Sequence, residues 1–586
     1  LASGLAFQGN ESKVSSTTRH ISETCVATFL ALLLVSGWAI GLTQTPFSSF
    51  YNLTLALAGW GALLVLGTWQ LGCAGGVLPR VAWGWVLAAL ALGAWALLQG
   101  SCVGAGVAAV LAAAACGHWL GGQVLPWRLA RAAPDAVAWG LMVAALLNVG
   151  VALVQYFTPT LADGTWIAKP TTPGRAFGNL RQPNHLASLM LLGLCVLPWV
   201  VSEARRRWAW VAMAALTLGV ALSSSRTGML GLVGLALWAA LDRGLPGWAR
   251  RLFWAAPVVA VGWWLGLWAW GEVGGTAYFG EARLESGGDL SSSRFAIWSN
   301  TLALIATHPW AGVGWGNFNA AWTFTPFPDR PVAFFDHSHN LVLQLMVELG
   351  IPAALVLLGV LAWMLWRARG ALSLPGEAGL AARAALMMLA VLGWHSLLEY
   401  PLWYAYFLLP AAFALGLFLG LGAPSRPAAP APAWTRWLFP LAGGLMVAGS
   451  LHAMVDYQRV VQIFKPSGEA GRAPLAERIR IGQRSHWFAV HADYAAVTTA
   501  PRPSEVFAQF ERPLRHLIDA RLMIAYAKAL HERGEDDRAL YVVHRLREFR
   551  HRLGRDFLAV CEQPDPPHFP CGPEPKHLGW RDVAAP

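Results

Sequence analysis

The chain has 586 residues, of which 56% are hydrophobic and only 13% charged, with a mean hydropathy of +0.46. Soluble domains carry roughly a quarter charged residues, so this deficit excludes an ordinary water-soluble enzyme. The net charge of +11 comes from 38 Arg and 5 Lys against 32 acidic residues, but no soluble basic module accompanies it, which argues against a nucleic-acid partner.

In chain order, residues 1–24 form a polar, irregular N-terminal tail. Its Leu5-Ala6-Phe7-Gln8-Gly9 stretch reads as an expression remnant and is left out of fold reasoning. Apolar runs near 20 residues then recur, the length needed to cross a bilayer. They predict thirteen transmembrane helices at about 25–42, 50–72, 81–100, 102–122, 135–157, 184–202, 208–223, 228–242, 251–271, 340–366, 380–396, 402–422 and 435–455. The 32 Trp fit such a protein through their preference for membrane interfaces.

Orientation follows from the basic loops. Arg128 and Arg131, Arg205 to Arg207, Arg243 with Arg250 and Arg251, Arg367 with Arg369 and Arg383, and Arg426 with Arg436 all fall on one side when thirteen helices start from an inside N-terminus. The Ala- and Pro-rich segment 423–433 is a short linker on that side. The opposite, outer side receives 158–183, the tight turn 223–227, the long loop 272–339, the turn at 397–401 and the tail 456–586. The predicted organisation is therefore helices 1–9 over 25–271, the loop 272–339, helices 10–13 over 340–455, and a separate soluble α-helical domain over 456–586. Within that domain, Arg521–Glu532 and Arg538–Arg550, joined at Gly534, read as one hairpin of tetratricopeptide type without a clean 34-residue repeat.

Of seven cysteines, Cys25, Cys73, Cys102, Cys116 and Cys195 lie in or beside apolar runs and read as small buried residues. Cys561 and Cys571 stand in a Pro-rich stretch of the outer domain, and a disulfide is predicted between them. No Cys/His spacing suits zinc, and neither a phosphate-binding G-x-x-x-x-G-K-[ST] loop nor H-E-x-x-H occurs. Gly312-Val313-Gly314-Trp315-Gly316 lacks the strand-to-helix context of a dinucleotide site. Asp-x-Asp is absent too, which favours metal-free chemistry. Asp336-His337-Ser338 has the residue types of a triad, but consecutive side chains are not expected to converge.

Four outer segments remain as candidates for chemistry. Phe335-Asp336-His337-Ser338-His339-Asn340 ends the longest loop at a membrane boundary, where His and Asp are costly to desolvate and usually face a cavity. Arg226 and Arg294 each follow three serines, and their guanidinium forks suit phosphate oxygens. Snorkelling or helix capping is the bland alternative for either. Asn179-Leu180-Arg181-Gln182-Pro183-Asn184-His185 opens a helix whose N-terminal end suits anions or sugar hydroxyls. Glu399-Tyr400-Pro401-Leu402-Trp403-Tyr404 pairs a carboxylate with aromatic faces, which serve either a sugar or an interfacial belt.

These segments resemble the family of bacterial O-antigen ligases and protein O-oligosaccharyltransferases. His339-Asn340, nine residues and then Gly350 match that family's ligase pattern, although its last position, usually Gly, Thr or Tyr, is Ala353 here. Arg226-Thr227-Gly228 matches its outer-turn Arg, and Arg294 its second Arg in the long loop. Asn-Leu-Arg-Gln-Pro-Asn-His, Asp-His-Ser-His-Asn and Glu-Tyr-Pro-Leu-Trp-Tyr are similar to the pilin-type protein-glycosylating branch. The likeness covers about 140–420 and is weaker in the first four helices and the tail.

The resemblance implies a GT-C-like, all-α polytopic protein of the bacterial inner membrane, with its active site and C-terminal domain periplasmic and with no cofactor. It implies that an acceptor hydroxyl attacks the anomeric carbon of an undecaprenyl-diphosphate-linked glycan, with inversion. His339 would be the base, and Arg226 and Arg294 would hold the leaving diphosphate. Arg181, Gln182, Asn184, His185, His337, Asn340, Glu399, Tyr400 and Tyr404 would contact sugar or acceptor. The acceptor is a pilin-like protein on the first reading, and lipid A core or a growing polymer on the second. A transporter of the same lipid-linked glycan is a third reading, disfavoured because its polar residues should lie near the bilayer midplane.

Overall fold

The computed structural model describes residues 31–70, 112–118, 120, 132–274, 277–280, 289–328, 330–423, 435–466 and 473–584, and no strand occurs among them. Six helical stretches are long and apolar enough to cross a membrane: Asp135–Phe157, Pro183–Val200, Gly247–Glu272, Ile351–Ser373, Gly376–Ser396 and Trp437–Phe464. The apolar helices Phe50–Leu66, Arg226–Leu241 and Ala405–Leu421 are shorter. Most of the predicted helices at 81–100 and 102–122 lie outside the described residues. So do Arg128, Arg131, Arg426, residues 424–433, Cys25, Cys73 and Cys102.

The helices that position the site are α1 (Phe50–Gln70), α2 (Ala132–Phe157), α3 (Pro183–Val200), α4 (Arg206–Ser223), α5 (Arg226–Leu241) and α6 (Gly247–Glu272). They pack as α2 on α3 and α4, with α6 against α4 and α5. Further along come α7 (Asp289–Thr307), α8 (Phe318–Phe324), α9 (Leu341–Leu349), α10 (Ile351–Arg367), α11 (Gly376–Ser396), α12 (Ala405–Leu421) and α13 (Thr435–Val461). Helix α13 lies along α1, and their backbones cross at Gly61 and Gly443. A Cβ on Gly61 would stand 2.6 Å from the Gly443 carbonyl, so only small residues permit this approach.

Two ends of the bundle are distinct. At one, Arg383 of α11 pairs with Asp242 just past α5 (3.0 Å), and Arg250 donates to the Ala239 carbonyl. At the other, α5 starts at Ser225 and α11 ends at Ser396, so the turns at 223–227 and 397–404 share one end.

Segment 158–182 is no loose connection. Gln155 and Asn148, two amides in the largely apolar α2, reach into it. Gln155 accepts from the Phe177 and Gly178 amides (3.0 and 2.9 Å) and donates to the Ala168 carbonyl (2.8 Å). Asn148 accepts from the Asn179 amide (2.9 Å), and the Asn179 side chain accepts from the Ala168 amide (3.0 Å). Buried backbone groups need such partners, and here they fix the chain that leads into α3.

The structure adds detail to three expectations. The helix predicted over 340–366 is two helices, α9 and α10, broken at Gly350 (φ +82°). A Cβ there would lie 2.2 Å from the Trp310 carbonyl, so the close approach of 310–312 requires glycine. The loop 272–339 is partly helical, containing α7 and α8. The tail shares a core with the loop region. Its helices α14 (Leu475–Gly482), α15 (Ala489–Thr499), α16 (Ala520–Glu532) and α17 (Asp536–Glu548) follow α13, and α16 and α17 form the expected hairpin across Gly534. One apolar core joins Leu304, Phe318, Trp322 and Phe324 of the loop region and Val347 of α9 to Phe510, Leu522, Tyr526, Val542 and Phe549 of the tail. Helices α16 and α17 are amphipathic and bury their apolar faces against the loop, whereas Ile479 of α14 and Ala492 of α15 pack with Tyr457 of α13 and Phe50 of α1. Cys561 and Cys571 are joined in a disulfide with Cα atoms 5.4 Å apart.

Candidate active site

Three of the helices that begin at the site-bearing end are each capped by a motif residue. Gln182 opens α3 and accepts from the His185 amide (2.8 Å). Ser225 opens α5 and accepts from the Gly228 amide (3.1 Å). Asn340 opens α9 and accepts from the Val342 and Leu343 amides (3.0 and 3.1 Å). Such caps satisfy otherwise orphaned N–H groups and set where each helix starts. Asn340 also donates to the Leu397 carbonyl (3.0 Å), which ties α9 to the turn after α11.

That turn carries the hub. One oxygen of Glu399 accepts from Asn184 and from Arg294, each at 2.6 Å, and the other accepts from Gln182 at 2.6 Å. Asn184 in turn accepts from Ser225 Oγ (2.6 Å), the residue just before Arg226. Three distant segments therefore meet on one carboxylate, and a fourth joins through Asn184. Burial by itself raises the Glu399 pKa, but the His395 contact and the charges of His395, Arg294 and His185 together hold it down to about 2. The group is an anion at neutral pH.

His339 sits beside the hub in the left-handed region (φ +56°), its ring edge-on to Phe335 (5.5 Å) and to Tyr400 (5.0 Å). Its Nδ1 is buried and has no hydrogen-bond partner among the described residues. Burial lowers its pKa to about 4; Glu399 opposes this, while Arg294 and His337 add to it. The imidazole is thus neutral at pH 7 and can accept a proton.

His337 stacks flat on Tyr400 (4.4 Å, 10° between planes) and stands edge-on to Trp403 (4.8 Å). Its Nδ1 lies 2.8 Å from the Asp336 carboxylate, so these consecutive side chains do converge, contrary to expectation. No triad results, because Ser338 turns inward: its amide donates to Gln344 (2.8 Å) and its hydroxyl to the Asn340 carbonyl (2.9 Å). Tyr404 stacks beyond Tyr400 at 6.1 Å.

The structure gathers Gln182, Asn184, Arg294, His337, His339, Asn340, Glu399, Tyr400 and Tyr404, with Arg226 exposed one residue past Ser225. It directs two expected residues elsewhere. Arg181 donates to the Ser48 and Gly41 carbonyls, so its donors serve the chain itself. His185 is 2% exposed and lies beneath the surface, bonded to Tyr406 (3.0 Å) and edge-on to Tyr404 (4.5 Å).

His395 was not anticipated. It is fully buried, bonded to Ser188 (2.8 Å), with Nε2 3.9 Å from Glu399. A histidine four residues before a carboxylate at the end of an apolar helix is the signal that could have found it. His185, His395 and Glu399 bring ligand atoms within 4.8 Å of one another, a spacing that could hold a metal ion. Both Glu399 oxygens already accept strong hydrogen bonds, one from a guanidinium, and these explain the trio as a support beneath the hub.

Three family descriptions match the chain: "Protein glycosylation ligase" over 176–199, "O-Antigen ligase" over 210–358, and "Virulence factor membrane-bound polymerase, C-terminal" over 383–552. One hub residue or more comes from each stretch: Gln182 and Asn184, Arg294, and Glu399. The chain is 29% identical over 324 residues to a general O-oligosaccharyltransferase of Acinetobacter baylyi, covering 51% of this chain and 54% of that protein. It is 32% identical over 128 residues to a ComP-specific O-oligosaccharyltransferase of the same organism, covering 22% of each. The chain thus spans about half the length of the first relative and about a fifth of the second. The resemblance to O-antigen ligases and protein glycosylation ligases that the motifs carry is borne out by these matches.

Proposed function

We propose that this chain transfers a glycan from undecaprenyl diphosphate to a serine or threonine hydroxyl of a periplasmic, pilin-like protein. The site faces the periplasm from the bacterial inner membrane. The observation that carries this reading is the Glu399 hub beside the unpartnered Nδ1 of His339: a fixed guanidinium and a neutral base side by side. The acceptor hydroxyl attacks the anomeric carbon as its proton passes to His339. The bond from that carbon to the diphosphate oxygen breaks, and the diphosphate leaves with the bonding pair. Arg294, which spends one terminal nitrogen on Glu399, and Arg226 meet the growing negative charge. Gln182, Asn184 and Glu399 keep Arg294 in place, and the faces of Tyr400 and Tyr404 border the sugar. A single displacement inverts the anomeric carbon.

The matches to both relatives support protein as the acceptor. The matches over 210–358 and 383–552 keep lipid A core or a growing polymer as the second reading. Purified protein supplied with lipid-linked glycan, and with a pilin-type protein or lipid A core in separate reactions, decides between them. Transfer to the protein alone is expected. Transfer to lipid A core alone replaces the first reading with the second, and retention at the anomeric carbon overturns the one-step scheme.

A further inference from the structure

Segment 331–340, which carries His339, has no helix of its own. It is held by the hydrogen bonds of Ser338 and Asn340, by Tyr400 and Trp403 against His337, and by packing that reaches it from the C-terminal helices. Phe549 stacks on Phe334 at 3.9 Å with 13° between the planes, and meets Trp322 at 5.7 Å. Trp322 stands edge-on to Phe335 at 5.5 Å, and Phe335 edge-on to His339 at 5.5 Å. Beside these rings, the Arg330 side chain is wholly buried. Its Nε lies 2.9 Å from Glu548, and its guanidinium sits over Phe549 at 4.5 Å. Tyr541 donates to the Phe324 carbonyl at 2.8 Å.

We propose that the C-terminal helices are a positioning element for His339, acting through the contact of Phe549 with Phe334 and Trp322. Two observations carry the inference together. The first is the unbroken line of ring contacts from Phe549 to His339. The second is the backbone of His339, whose positive φ is unfavourable for a residue with a Cβ and persists only where surrounding contacts enforce it. Phe549 is fully buried, so truncating it empties a cavity next to Phe334 and loosens what enforces that conformation. The proposal rests on the function given above where turnover is measured, but not where the exposure of His339 is measured.

The test uses the full chain in lipid nanodiscs. In Phe549→Ala, kcat for glycan transfer is expected to fall about tenfold or more, as small misplacements of a catalytic group do. The donor KM stays within about twofold, because Arg226, Arg294 and Glu399 are untouched. Carbethoxylation of His339 by diethyl pyrocarbonate, followed by peptide mass spectrometry, is expected to accelerate several-fold, with exposed His577 of the tail as the internal control. Phe549→Leu, which keeps most of the volume, should recover part of both losses. Parental kcat and a parental His339 labelling rate in a normally folded Phe549→Ala protein overturn the proposal. Where that variant does not fold, Glu548→Gln keeps the shape and removes only the charge opposite Arg330. A smaller change in the same two readouts is expected from it, and no change in either overturns the proposal. If the parent shows no transfer at all, the functional reading fails while the labelling experiment still decides this one.

Discussion

Arg294 and Glu399 lie 105 residues apart in sequence and meet at 2.6 Å, with the carboxylate also gripped by Asn184 and Gln182. A guanidinium on a long, flexible stem is thereby held in one place before any substrate arrives. Preorganised charge of this kind needs little rearrangement when negative charge develops on a leaving group.

Replacing Arg294 should therefore act on turnover more than on binding. Arg294→Ala is expected to lower kcat about 10²–10³-fold, the usual cost of removing one charge-stabilising donor. Arg294→Lys should recover part of this, since it keeps the charge but loses the planar fork. Steady-state kinetics with varied lipid-linked donor check the prediction. A raised KM with unchanged kcat would mean that Arg294 binds ground and transition states equally.

The pH dependence of kcat/KM should report the depressed pKa of His339, about 4 in the folded protein. With His339 as the proposed base, the neutral ring is the working form, so activity should hold from neutral pH down to about 5 and fall only below that. An unperturbed histidine would lose activity near 6.5. Arg294 is one cause of the depression, so Arg294→Gln should move the residual activity's acid limb upward, toward 6.5. An acid limb that stays put in the variant would show that another group is being titrated.

Much of the site was legible because its chemistry comes in short polar words at the ends of apolar runs. Gln182-Pro183-Asn184, Ser225-Arg226, His337-Ser338-His339-Asn340 and Glu399-Tyr400 each mark a helix start or a turn, and the structure brings them to one end of the bundle. What sequence could not supply is direction. Arg181 and Gln182 are neighbours, yet a left-handed backbone at Arg181 (φ +56°) turns its side chain to the Gly41 and Ser48 carbonyls while Gln182 faces Glu399. Nor does local pattern reveal that Gly312, Gly314 and Gly316 form a clasp on the end of α9. Their positive φ angles of +68°, +101° and +76° let Val313 and Gly314 donate to the Val347 and Glu348 carbonyls. The break in the helix predicted over 340–366 has the same origin: hydropathy is continuous across Gly350, and only tertiary contact shows why the chain turns there.

Gly350→Ala tests that contact. The added Cβ would stand 2.2 Å from the Trp310 carbonyl on a backbone with φ +82°, so both steric overlap and backbone strain oppose it. Destabilisation of about 3 kcal/mol is expected, at the upper end of single substitutions. Thermal unfolding in detergent measures it. Because α9 begins at Asn340, the residue after His339, transfer activity should fall in the fraction that remains folded. Parental stability would show that the Trp310 turn yields easily.

Glu348 offers a test that is independent of catalysis. It is 6% exposed at the end of α9, and one oxygen accepts from the Gly316 amide at 3.1 Å. Burial raises its pKa to about 7, against a partial lowering by the Phe318 and Gly316 amides and Gln344. The folded state therefore holds the proton more tightly than the unfolded state, where the carboxyl titrates near its ordinary value. Stability from this group is fully present below about pH 4.5 and is lost as pH rises through about 7, by on the order of 3 kcal/mol. His339 runs the other way: with its folded pKa depressed, its contribution is present above about 6.5 and lost as pH falls toward 4. The two must be separated by variant. Glu348→Gln keeps an oxygen for the Gly316 amide and cannot ionise, so it should match the parent at pH 5 and exceed it in unfolding temperature at pH 8. Equal unfolding temperatures at both pH values would mean that Glu348 is solvated in a way its burial does not suggest. A variant less stable at pH 8 would mean that the ionised carboxylate holds the glycine clasp more strongly than burial opposes it.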